Sequence, residues 1–115
     1  MVLAIDFDGT IVEHKYPKLG KEIPMAVQML KQLKQDGHTL ILWTVRDGKE
    51  LDDALQFCNS RGLEFHAVNR SHPEEVYDCQ NISRKITADL FVDDRNLGGL
   101  PPWEEIYSKI SKQKA

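Results

Sequence analysis

Short apolar runs alternate with amphipathic periods along this chain, and that alternation limits the folds open to it more than any other feature. Val2 to Phe7, Thr39 to Trp43, Phe65 to Val68 and Leu90 to Val92 are each of strand length. Runs that are apolar throughout, rather than apolar at every second residue, suit parallel strands covered on both faces. Between them, Ala26, Met29, Leu30 and Leu33 recur at helical spacing, opened by Pro24 and closed by Gly37. Leu51, Ala54, Leu55 and Cys58 repeat that spacing, with Gly62 as the stop. A last helix starts near Pro101-Pro102 and carries Trp103, Ile106, Tyr107 and Ile110 on one stripe. The order β-α-β-α-β-loop-β-α predicts right-handed crossovers and a three-layer, doubly wound α/β fold with a parallel sheet. At 115 residues the chain has room for one domain, 1–115, around a single core.

Fifteen Lys and Arg against 18 Asp and Glu leave a net charge of −3, so no broad basic surface exists for nucleic acid or anionic lipid. No apolar run approaches the roughly 18 to 20 residues of a membrane span, and Asp6 and Asp8 interrupt the N-terminal apolar stretch before a signal-peptide core forms. The expectation is a cytoplasmic protein with no membrane partner, for which nucleic acid would be at most a local substrate. Cys58 and Cys79 lack metal-ligand spacing and read as packing residues. His38 and His72 read as surface loop residues and His66 as a structural residue of the third strand. The stretch from Asn69 to Ser83 reads as a long loop, and Ser111 to Ala115 as a frayed end.

Ligands in a doubly wound sheet bind outside the carboxyl ends of the strands. Asp6 and Asp8 follow the first strand, Thr44 and Arg46 the second, Asn69 and Arg70 the third, Asp93 and Asp94 the fourth. Carboxylates about 4 Å apart repel by about 4 kcal/mol at an effective dielectric near 20, so this collection calls for a positive partner. A hard divalent cation such as Mg²⁺, with oxygen ligands, is the natural candidate. In an extended Asp6-Phe7-Asp8 the two acids point to one side and Phe7 to the other. Gly9 then permits close backbone approach, so that amides after Asp8 form an anion-binding concavity to which Thr10 adds a hydroxyl. The run reads as a phosphate cradle beside a metal.

The strand followed by Asp6-Phe7-Asp8-Gly9-Thr10-Ile11, then Thr44 closing Leu40-Ile41-Leu42-Trp43, then Lys85, then Phe91-Val92-Asp93-Asp94, resembles the haloacid dehalogenase-like superfamily of phosphohydrolases. All four motifs stand in order across residues 6 to 94. The resemblance implies that Asp6 attacks phosphorus to give an aspartyl-phosphate and that Asp8 serves as general acid and then base. It implies Mg²⁺ on Asp6, the main-chain carbonyl of Asp8, and Asp93. Thr44 would bond a phosphate oxygen, Lys85 would offset charge on Asp6 and the phosphoryl group, and Asp94 would hold Lys85 or a metal-bound water. His14 falls where the family places a flap and is a candidate to touch substrate.

An Asp at a strand end is ordinarily a turn residue or cap, Thr44 an ordinary strand threonine and Lys85 a surface lysine; it is their combination that points to chemistry. Arg46 either reaches substrate or supports a helix start through Asp47. A phospho-Asp receiver-type module is the rival from another class, but there the acidic pair leads and the lysine trails, whereas here the DxD leads and Asp93-Asp94 trails. A phosphotransferase of the same superfamily and a non-catalytic binding relic are further alternatives. Only fifteen residues separate Asp8 from Pro24, too few for a cap domain. The favoured partner is therefore a small phosphorylated metabolite held by Arg46, Asn69, Arg70 and nearby donors, covered by loops or by a second subunit of a homo-oligomer.

Overall fold

The computed structural model describes residues 1–69, 88–95 and 97–113. Its elements are β1 (Val2–Ile5), α1 (Ala26–Gln35), β2 (Thr39–Leu42), α2 (Gly48–Ser60), β3 (Ala67–Val68), β4 (Leu90–Val92) and α3 (Trp103–Gln113). The strands form one parallel sheet in the order β3-β2-β1-β4. Ile5 pairs with Leu42 on one side and Val92 on the other, so β1, β2 and β4 end level. The residues that follow them, from Asp6, Trp43 and Asp93 onward, emerge at one edge.

Alternation along β1 sorts its side chains between two clusters. Leu3, Ile5 and Phe7 pack with Leu40, Leu42, Val92 and the buried residues of all three helices. Ala4, Ile41 and Ala67 belong to a separate cluster with Val2, Trp43 and Phe91. Leu3, Ile5, Leu30, Leu33 and Leu42 are fully buried, each contributing about 1.5–3 kcal/mol. The parallel α/β architecture is as expected. The three described helices, however, all pack into the Leu3–Ile5 cluster, so among the described residues no helix covers the Ala4–Ile41 face; residues 70–87, which join β3 to β4, lie outside the described residues.

Both glycine stops operate by one hydrogen-bond pattern. At the end of α2, Gly62 N–H donates to Asn59 O and Leu63 N–H to Cys58 O, with Gly62 at φ 77°. At the end of α1, Gly37 N–H donates to Lys34 O and His38 N–H to Leu33 O, with Gly37 at φ 101°. This double closure turns the residue after the glycine back onto the helix. It corrects the reading of His38, which is 4 % exposed and sets its Nδ1 3.1 Å from the Met1 amine instead of lying on a surface loop. His66 is likewise displaced: β3 begins only at Ala67, and His66 is exposed ahead of it. α3 continues through Gln113, so Ser111 is helical rather than frayed. His72, Cys79 and the loop reading from residue 70 onward fall outside the described residues.

Candidate active site

Asp6 leaves β1 facing the end of β4, where Asp93 and Asp94 follow. One carboxylate oxygen from each of the three lies within 4.8 Å of the others. Burial, followed by the charge of Asp93, pushes the Asp6 carboxyl up to about 7. Asp94 is also held above the ordinary carboxylate range, first by burial and then by its hydrogen bond to Asp93. Its Oδ1 is buried with no hydrogen-bond partner among the described residues. Asp93 is anchored by the Arg95 N–H, which donates to its Oδ1 at 2.9 Å. Three carboxylates brought this close, with one buried oxygen left over, suit a hard divalent ion with oxygen ligands.

Asp8 does not join that group. Both of its oxygens accept from Arg46: Nε–H to Oδ2 at 2.7 Å and Nη2–H to Oδ1 at 2.7 Å. The pair is enclosed, with the two side chains 0 % and 8 % exposed for Arg46 and Asp8. The remaining guanidinium N–H groups donate to the Pro17, Lys18 and Glu50 carbonyls. A guanidinium has five N–H donors, and all five are engaged. This corrects the expectation that Arg46 is a substrate donor, because it is an internal clamp. Nor does it support Asp47, which caps α2 with no side-chain bond. The bond to Asp8 raises the already high pKa of Arg46.

The phosphate cradle expected from Gly9 and Thr10 takes another form. Gly9 N–H donates to Val12 O and Thr10 N–H to Phe7 O, so both amides are spent closing the turn. The Thr10 hydroxyl is fully buried and donates to Asp6 Oδ2 at 3.4 Å. Gly9 is required for a different close approach: at φ 82°, a Cβ there would overlap the Asp94 carboxylate. Thr44 is placed as expected at the end of β2, its Oγ1 accepting from Arg46 N–H at 3.1 Å, which leaves its own O–H to donate. Asn69 supports it, its Oδ1 accepting from Thr44 N–H at 2.7 Å. His14 is exposed on the loop after Val12. Lys85 and Arg70 lie outside the described residues.

Sequence reasoning missed Trp103 as a site support. Its indole N–H donates to Thr10 O at 2.9 Å and fastens α3 to the turn that carries Asp6 and Asp8. Its apolar spacing signalled only packing, since nothing local marks where an indole N–H will end.

A pH effect follows from the carboxylate group. Folded Asp6 binds a proton more tightly than the unfolded residue, its carboxyl rising from 3.8 to about 7. Stability contributed by that proton is complete below about pH 4 and disappears as pH rises through 7. In EDTA, wild type should therefore lose more Tm between pH 5 and pH 8 than Asp6→Asn does, and Mg²⁺ should restore wild type most at pH 8. Thermal melts at the two pH values check this; parallel curves for wild type and variant contradict it.

Fold and site together define a parallel α/β domain with a carboxylate cluster at the carboxyl edge of its sheet. The chain is 56 % identical to a conserved protein from Bacteroides thetaiotaomicron of solved structure, with a TM-score of 0.92, over 100 % of this chain and 93 % of that one. It belongs to the family of that protein. No protein-family model and no curated protein matches it.

Proposed function

We propose that this protein is a Mg²⁺-dependent phosphohydrolase of the haloacid dehalogenase-like kind, cleaving a small phosphate monoester through an aspartyl-phosphate. The observation that carries this reading is the convergence of Asp6, Asp93 and Asp94, with a buried Asp94 oxygen lacking a partner. Asp6 and Asp93, with the main-chain carbonyl of Asp8, are the groups to hold the ion, and Asp94 stands beside them. When bound, the ion offsets the repulsion between the Asp6 carboxylate and a phosphate dianion.

Asp6 forms the bond to phosphorus as the ester oxygen departs, and Asp8 supplies the proton that oxygen takes. Water then attacks the acyl-phosphate, Asp8 accepts its proton, and inorganic phosphate leaves with Asp6 regenerated. The Thr44 hydroxyl is free to donate to a phosphate oxygen, and Lys85 is the proposed cation for the transferring group. The membrane is no part of this reading, for no helix among the described residues is long and apolar enough to cross one.

The purified protein should hydrolyse an aryl phosphate in Mg²⁺ and lose that activity in EDTA, because clustered acids without a cation repel the substrate. Undiminished turnover in EDTA contradicts the proposal.

A further inference from the structure

We infer that Arg46 is the positioning residue for Asp8, fixing its carboxylate and strapping residues 16–18 beside it without binding the phosphate. This rests on the phosphohydrolase reading. The fork of Nε and Nη2 holds both Asp8 oxygens at 2.7 Å, which fixes the plane of the carboxylate as well as its place. The other donors reach outward in two directions, to Glu50 O in α2 and to Pro17 O and Lys18 O in the loop after Val12. The guanidinium carbon also lies 5.1 Å from the Phe7 ring and 5.2 Å from the Tyr16 ring.

One buried side chain thus joins the proposed acid and base, a helix, and the loop that borders the site. Each carboxylate oxygen keeps a second lone pair beyond the one that Arg46 uses. Arg46 has no donor left for substrate. It acts through Asp8, and its loss should alter the chemical step while leaving the hold on phosphate unchanged.

The test compares wild type, Arg46→Lys and Tyr16→Ala with a series of substituted phenyl phosphates in Mg²⁺, and with inorganic phosphate as inhibitor. Lysine keeps a charge but cannot make the fork. Arg46→Lys is expected to lower kcat at least tenfold, on the scale by which misplacing a catalytic group slows reaction. KM and the inhibition constant of inorganic phosphate should stay within about twofold. The loss in kcat/KM should grow as the leaving phenol becomes more basic, since a poor leaving group depends most on a well-placed proton donor. Tyr16→Ala, the milder change if Arg46→Lys does not fold, should show the same pattern on a smaller scale.

A rise in KM and in the phosphate inhibition constant at constant kcat would make Arg46 a phosphate ligand and overturn the inference. An unchanged kcat, or an equal loss for every phenol, overturns it as well. Hydrogen exchange supplies a readout independent of turnover: the Lys18 amide, bonded to Lys15 O at 2.9 Å, should lose protection in Arg46→Lys. If wild type hydrolyses no phosphate ester, the phosphohydrolase reading fails, and the positioning role in catalysis fails with it. Retained Lys18 protection in the variant removes the strap whether or not wild type is active.

Discussion

Asp6→Asn is expected to lower kcat for an aryl phosphate by about four orders of magnitude or more, the scale of removing a nucleophile that acts with its neighbours as a unit. The amide has the shape of the carboxyl but cannot attack phosphorus. The same change should raise stability in metal-free solution at pH 8, because it removes a charge that burial, and then the neighbouring Asp93, disfavour enough to push the Asp6 carboxyl up to about 7. Activity and stability move in opposite directions, which general damage to the fold cannot produce. Asp8→Asn, by contrast, keeps the nucleophile and should still form phosphoenzyme slowly. Equal residual activity in the two variants, or a less stable Asp6→Asn at pH 8, contradicts the roles assigned here.

Arg46→Ala should be the most destabilising truncation at the site. It leaves the Asp8 carboxylate, 8 % exposed, without a counter-charge and frees the Pro17, Lys18 and Glu50 carbonyls. Stranding one half of a buried ion pair costs about 3–5 kcal/mol. Domains of this size are stable by about 5–15 kcal/mol, so Tm should fall by roughly 12–20 °C. Adding Asp8→Asn should recover part of the loss, because the unpaired charge is gone. A fall of less than about 1 kcal/mol, as for an exposed pair, would show that the clamp is not closed in solution.

The strand ends could be read from the sequence because the apolar runs stop where the acids begin, and a parallel register then brings Asp6 level with Asp93. The helix stops were equally legible, since Gly37 and Gly62 adopt the left-handed conformation that glycine alone enters freely. The destination of Arg46 was not. Its partner lies 38 residues away, and nothing in the local sequence marks that the guanidinium turns inward. Gly9 shows the same limit: the need for glycine was visible, but the group it makes room for, Asp94, follows β4, which neighbours β1 in the sheet but is distant in the sequence. His38 was misread because a polar residue after a helix-ending glycine is indistinguishable, by pattern, from one facing water.

The central claim is that phosphate passes through a covalent bond to Asp6. Wild type should be quenched during turnover of an aryl phosphate in Mg²⁺, the acyl-phosphate trapped by borohydride reduction, and the modified residue located by mass spectrometry. The account predicts modification at Asp6 alone, appearing only with Mg²⁺ and gone within seconds once substrate is exhausted. Turnover with no modified carboxylate, modification at another aspartate, or an aspartyl-phosphate that persists for minutes as in a signalling receiver would contradict it.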